Sequence, residues 1–374
     1  MANTDNRIRN VSEEKSAYKS INLAIKDSNP GDYIHIFPGI YNENIVIEKS
    51  ITIIGIGLAN KIVINNTSTS PNILSGDNIK LENILFEKNT PPDQVKTACI
   101  ELRNGTSYIK NCIFIGNATT ALWGIKETQL VMDNCKIYEE FDTGLFLENF
   151  SSIKNTSIHS TKFAGIEITD SGNAIINNNR LNKIQESGIL IQKSAQGIIT
   201  KNEITGSYFA GIEIRNSGTA KIISNKISQG KQAGINIHTG GIATIEENTI
   251  QNNRSSGLVV KDKNSQATIR NNQISKNDEA GIICDLNSYG LLEQNTISLN
   301  KFSGIQITNT AYCHISNNLI SGNGGGILLN NAGNCLVTEN DLRGNAGGPW
   351  FIDLKSDELL VKRNNIENTQ IEKN

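Results

Sequence analysis

The sequence has no CxxC pair, no excess of basic charge and no long apolar run, and each absence narrows what the chain can be. Its six cysteines, Cys99, Cys112, Cys135, Cys284, Cys313 and Cys335, are too scattered for a zinc or redox motif, so buried free thiols are expected. The formal charge is −2. A nucleic-acid binder would carry a basic stripe, and none is expected here. No stretch is apolar for long enough to span a membrane, so membrane insertion is not expected either. The opening, Met1 to Asn10, is polar and lacks the apolar centre of a secretory signal. The expectation is a cytoplasmic protein if Met1 is the native start, and an extracytoplasmic one if a signal peptide was removed. With 37% hydrophobic and 19% charged residues, the chain is neither disordered nor membranous by composition.

What the sequence does have is a repeat. A glycine followed by an alternating apolar pair recurs at Gly144, Gly165, Gly188, Gly211, Gly234, Gly257, Gly281, Gly304 and Gly326. Successive gaps are 21, 23, 23, 23, 23, 24, 23 and 22 residues. An asparagine follows most of them about 14 residues on, at Asn179, Asn202, Asn225, Asn248, Asn272, Asn295, Asn318 and Asn340. Extended backwards, this register puts Cys112, Cys135 and Thr156 at the asparagine position, and Cys99 and Ala121 at the glycine position.

Each unit holds three short alternations: I-x-I after the glycine, then A-x-I, then N-x-I. A period of two means strands with one buried face. Strands of three to four residues cannot bury that face alone, but stacked copies can, each pairing with its neighbour about 4.8 Å away. Columns of Ile, Leu, Val and Ala then fill the interior, and the asparagines stack as a hydrogen-bonded ladder at a turn. No apolar stripe of helical period persists. The expected fold is all-β: a single-stranded right-handed parallel β-helix of three short sheets, about 23 residues per coil and roughly 13–14 coils. Because each coil packs only on its neighbours, the length of 374 residues does not require two domains.

Open sheet ends need covers. The segment from Ser12 to Asp27 reads as an amphipathic helix, with Ser12 as N-cap and Tyr18, Ile21, Ala24 and Ile25 on one face. Asn29-Pro30-Gly31 ends it. The expected organisation is a capping segment over residues 1–32, the β-helix over 33–368 and a tail over 369–374. The charged segment from Lys355 onward either closes the far end or trails from it.

The stretch "YKSINLAIKDSNPGDYIHIFPGIYNENIVIEKSITIIGIG" resembles the N-terminal cap and first coils of the pectin-lyase-like β-helix superfamily. From about Phe141 onward the body is similar to CASH-type repeats, those of carbohydrate-binding and sugar-hydrolysis proteins. It is most similar to those of F-box substrate adaptors, which also alternate coils like "GGIATIEENTI" and "NSQATIRNNQI". There is no F-box-like helical segment, so the adaptor role is not implied. The paired-Asp and Arg signature of pectin esterases, the paired-Asp and Gly-His motifs of polygalacturonases, and the Asp-Pro-His of mannuronan epimerases are missing. No catalytic residue therefore carries over. The resemblance implies a fold that hosts lyases, hydrolases, epimerases, esterases and non-catalytic scaffolds alike.

It also implies that a ligand groove, if present, lies on the G-I-x-I sheet. Two outward columns run along that sheet. The x residue gives Glu101, Trp123, Phe146, Glu167, Leu190, Glu213, Asn236, Val259, Ile283, Gln306 and Leu328; two positions on come Arg215, His238, Lys261 and Asp285. Three constellations result. In the first, Arg215, His238 and Lys261 occupy consecutive coils, with Tyr208 upstream and Glu213 and Asn236 between them. A lyase or epimerase must neutralise a uronate carboxylate, for which Arg or Lys serves, and abstract the adjacent proton, for which His or Tyr serves. The plain alternative is a solvated face with Glu213 and Asp285 pairing the cations. In the second, Glu167 and Glu213 lie two coils apart, roughly 9.6 Å at the backbone, near the spacing of an inverting glycosidase pair; the alternative is two surface carboxylates. In the third, Trp123 beside Phe146 suits stacking on a sugar or a partner, or cover by a neighbouring loop.

The leading functional expectation is a non-catalytic scaffold that binds a polysaccharide or a protein along the outward G-I-x-I face, with Trp123, Phe146, Glu167, Asn236 and Asp285 as contacts. The alternative is an enzyme on a uronate-containing glycan centred on His238, with Arg215, Lys261, Tyr208 and Glu213; a lyase or epimerase is preferred to a hydrolase. Regular coils from Gly144 onward, without long loops to wall a cleft, favour the scaffold. No cofactor or metal site is implied. Calcium, which some β-helix lyases use, stays open, although no Asp-rich loop has ligand spacing. The oligomeric state is left open.

Overall fold

The alternating residues do form short strands, and each strand pairs in parallel with its copy one coil away. A computed structural model describes residues 7–13, 17–91, 93–138 and 140–367. It divides into two compact units, Met1–Gln185 and Glu186–Asn374. In each, most coils contribute one strand to each of three parallel sheets. The coils number about 15, against the 13–14 expected.

One coil of the second unit serves for all. Ile212–Ile214 forms the G-I-x-I strand, Thr219–Ile223 the A-x-I strand and Lys226–Ser228 the N-x-I strand. They pair in register with Ile235–Ile237, Ile242–Glu246 and Thr249–Gln251. Ile212, Ile214, Ala220, Ile222 and Ile227 point inward and are buried. Corners between strands are turned by residues in the left-handed region: Asn216 and Ser217, then Ser224, then Gln229. Short polar side chains tolerate this conformation best, which is why Asn holds the same corner at Asn83, Asn111, Asn134, Asn155 and Asn178 in the first unit.

The recurring glycine has a different reason. Gly234 has an ordinary backbone, but a Cβ there would lie 2.4 Å from Ile250 Cγ2 and 2.7 Å from the Gly257 carbonyl oxygen. Coils approach so closely at this row that no side chain fits.

The asparagine ladder is present. Each interior asparagine accepts from the backbone N–H of the one before: Asn202 N to Asn225 Oδ1 is 2.9 Å, and Asn225 N to Asn248 Oδ1 is 2.8 Å. It runs on to Asn365. The extension backwards also holds, since the Thr156 N–H donates to Asn179 Oδ1 and the Cys135 N–H to Thr156 Oγ1. A second ladder, Asn253, Asn277, Asn300, Asn323 and Asn345, stands at the next corner and was not anticipated. All six cysteines are buried and unpaired, as expected.

The N-terminal expectation needs correction. The helix spans only Ile21–Asp27, capped by Ser20 rather than Ser12. Ser12 follows a strand, Ile8–Val11, which pairs with Tyr33–Ile36. Residues 14–16 of the expected helix lie outside the described residues. Ile21, Ala24 and Ile25 are buried as the pattern requires, whereas Tyr18 bridges Val11 instead of joining the helix. Glu43 finishes the cap by accepting the N–H groups of Ile21 and Asn22 at 2.8 and 2.9 Å. At the other end a short helix, Leu354–Asp357, and a last strand, Leu360–Arg363, stand in the charged segment; the expected tail lies outside the described residues. Among the described residues no helix is long and apolar enough to cross a membrane.

Candidate functional site

In the second unit the x position of the G-I-x-I sheet forms one outward column: Leu190, Glu213, Asn236, Val259, Ile283, Gln306, Leu328 and Phe351. Period-two alternation correctly turns these side chains away from the core. It does not make them exposed. Leu190, Glu213 and Asn236 retain only 4%, 3% and 6% of their accessible surface. At coil spacing a long side chain lies against the ones above and below, so the first part of the column is covered by its own neighbours.

Glu213 is the hub. One oxygen accepts from Arg215 Nη1 at 3.2 Å and contacts His238 Nε2 at 3.0 Å. The other accepts from Ser187 Oγ at 2.5 Å. Burial alone would push this carboxyl up, but the hydrogen bonds from His238 and Ser187 and the charge of Arg215 overcome it and hold the group below its ordinary value. Arg215 Nε also donates to Gln192 Oε1 at 3.0 Å. His238 has its second ring nitrogen, Nδ1, 2.9 Å from Thr239 Oγ1. Both imidazole nitrogens are therefore occupied.

The structure thus joins His238, Arg215 and Glu213 but not the rest of that constellation. Lys261 stands outside the network, in register with Asp285. Tyr208 is 63% exposed at the turn upstream. Asn236 follows Glu213 in the column, and its buried Oδ1 has no hydrogen-bond partner. Asp285 does not pair Lys261; it accepts from Thr308 Oγ1 and Asn309 Nδ2, both at 2.7 Å. Sequence reasoning missed Ser187, Gln192 and Thr239 as partners. Ser187 immediately precedes a repeat glycine, a position held by Ala164, Ala210 and Ala233 but also by Ser256 and Ser303, so the sequence alone did not single it out.

In the first unit the same column runs Ile73, Glu101, Trp123, Phe146 and Glu167. Trp123 and Phe146 form an edge-to-face pair, centroids 6.0 Å apart at 84°. The Trp123 indole N–H is buried without an acceptor. Both rings are half-buried. Glu167 belongs to this unit and Glu213 to the other. Glu213 is committed to three partners, unlike a glycosidase carboxylate that must face substrate. Among the described residues no group of three or more His, Cys, Asp or Glu side chains is placed to hold a metal ion.

The family model described as "Right handed beta helix region" matches residues 40–169, 143–289 and 262–373. The chain belongs to this family. No curated protein matches it. Solved structures similar to it include the Dettilon tailspike protein, at 12% identity over 86% of this chain and 68% of that one, with a TM-score of 0.62. Another is the catalytic unit of a thermostable GH87 alpha-1,3-glucanase from Streptomyces thermodiastaticus strain HF3-3, at 13% identity over 84% and 65% of the two chains, TM-score 0.56. A third is a double mutant of the periplasmic alginate epimerase AlgG, at 14% identity over 90% and 84%, TM-score 0.55. Likeness at these identities is one of fold.

Proposed function

We propose that this β-helix is a glycan-binding scaffold that presents the outward face of its G-I-x-I sheet and performs no chemistry at His238. One observation carries the reading: His238 has both ring nitrogens engaged, and Glu213 holds it together with Arg215. In this arrangement Nε2 is turned to Glu213, Nδ1 to the adjacent Thr239, and Arg215 is ion-paired with Glu213, so the three side chains hold one another and brace the face.

A glycan is put ahead of a protein because two structures of like fold are named as a glucanase and an alginate epimerase. Each unit offers its own apolar contact on which a sugar ring can lie: the half-buried Trp123–Phe146 pair in the first, and the outward Val259, Ile283 and Leu328 in the second.

The test is a glycan array probed with wild type, with Val259→Arg/Ile283→Arg, and with Thr268→Arg on the A-x-I sheet. The added side chains cover the face without entering the core. At least about tenfold weaker binding in the first variant, with Thr268→Arg unchanged, is expected. Equal binding by all three refutes the assignment of the face.

A further inference from the structure

The row of side chains upstream of the G-I-x-I strands runs through Phe209, Gln232, Ser255, Glu279 and Phe302 in successive coils of the second unit, and then stops. In the next two coils this position is Gly324 and then Gly347, each followed by a second glycine, Gly325 and Gly348, in the adjoining row that holds Ala280 and Ser303. Three of these glycines have a local reason. A Cβ on Gly324 would lie 2.3 Å from the Lys301 carbonyl oxygen, one on Gly347 would lie 2.7 Å from that of Gly324, and Gly348 has φ +90°. Gly325 has none. Its backbone is not left-handed, it stands in register with Ser303, and a Cβ there would meet nothing within 4 Å. Glycine that neither turn nor packing requires marks backbone kept bare for close approach.

Beside this bare backbone lies a cleft of about 250 Å³, walled by Phe302, Gln306, Leu328 and Phe351. Phe302 and Phe351 are 62% and 70% exposed, a costly way to leave two rings unless something covers them. Among the described residues the only charged one lining it, Lys301, has its ammonium 2.8 Å from Asp278. Trp350 also lines the cleft, and its indole N–H is buried without an acceptor. The volume falls below the roughly 300–1,000 Å³ of sites for drug-sized ligands and suits about one ring.

We infer that this cleft binds a single neutral pyranose unit of a glycan, its apolar faces against Phe302 and Phe351 and its hydroxyls toward the Gln306 amide and the bared backbone. The inference rests on reading the G-I-x-I face as a glycan surface, and adds where the sugar is held and which class it is: among the described residues the one lining cation, Lys301, is paired with Asp278, and Lys362, 5.0 Å over the Trp350 ring, is outside the lining, so a neutral ring suits the cleft better than a uronate.

Calorimetric titration with neutral gluco-, galacto- and manno-oligosaccharides, and with oligouronates of equal length, tests it on wild type, Gly325→Leu and Phe351→Ala. A neutral oligosaccharide should bind, and oligouronates about tenfold or more weaker. Gly325→Leu should abolish binding by filling the cleft, with its unfolding transition close to wild type. Phe351→Ala, at an exposed position that folding does not need, should weaken binding at least about tenfold. Unaltered binding by either variant overturns the cleft while leaving a glycan surface elsewhere on the face. Preference for oligouronates overturns the ligand class. Absence of any glycan binding overturns both this inference and the functional reading beneath it.

Discussion

Replacing Asn248 by alanine removes one rung from the middle of the ladder and tests what holds coil to coil. The Asn248 side chain takes part in five hydrogen bonds. Its amide nitrogen donates to the carbonyls of Ile222 and Glu246 at 2.8 and 2.9 Å and to Asn272 Oδ1 at 3.0 Å. Its oxygen accepts from the backbone and side-chain nitrogens of Asn225 at 2.8 and 3.0 Å. Asn248 is 1% exposed, so water cannot replace these partners. At about 0.5–1.5 kcal/mol net for each bond, and more for a buried group left orphaned, a simple sum gives roughly 3–7 kcal/mol. Bonds sharing one side chain are not additive, so about 3–5 kcal/mol is expected. The assay is urea unfolding followed by circular dichroism, with hydrogen exchange at the neighbouring amides of Asn225 and Ile250. Exchange matters because repeat proteins open locally. A loss below about 1 kcal/mol, with protection at Asn225 retained, would refute the ladder as a source of cohesion.

Three further outcomes follow from the same geometry. Glu213 has its native carboxyl held below the ordinary value of 4.5, so its stabilising contribution is complete above that value and drains as pH falls through the native one. Unfolding free energy measured from pH 7 to pH 3 should fall more steeply for wild type than for Glu213→Gln, and parallel curves would contradict the hub. Gly234→Ala must push a methyl against Ile250 and the Gly257 carbonyl and should cost about 1–3 kcal/mol, whereas Gly325→Ala, with open space, should cost under about 0.5 kcal/mol; thermal melts compare them. The six thiols are buried, and burial pushes Cys99 up to about 12. A thiol reagent at pH 8 should therefore label the folded protein barely and all six sites in guanidinium; fast labelling of folded protein would show that the interior opens.

The coil was legible because its signals are periodic and physical. Close approach demands glycine at Gly211 and Gly234, and the corner ladder demands an amide at Asn225 and Asn248, so the spacing survives in the letters. Even the substitutes Cys135 and Thr156 kept the ladder's place. The second ladder went unread because Asn253 and Asn277 stand among other turn-favouring polar residues, where an asparagine is unremarked. The strand Ile8–Val11 was missed because four residues with two apolar positions, Ile8 and Val11, give too short a pattern to tell from a helix end. At the site, alternation told which way Glu213 points but not what covers it. Burial there depends on the sizes of Leu190, Asn236 and Arg215, a property of stacking rather than of one strand. The terminal cleft was hidden for a related reason: its signal is side chains that are absent, at Gly324 and Gly325, and not residues that stand out.

The most direct test of the central claim is turnover. Wild type and His238→Ala are incubated with polyuronates and with neutral polysaccharides, and products are followed by absorbance for unsaturated ends, by NMR for epimerised units and by reducing-end assay. A recognition scaffold leaves every substrate unchanged in both samples. Unsaturated, epimerised or shortened product from wild type that disappears in His238→Ala would contradict it and make the Glu213–His238–Arg215 cluster an active site.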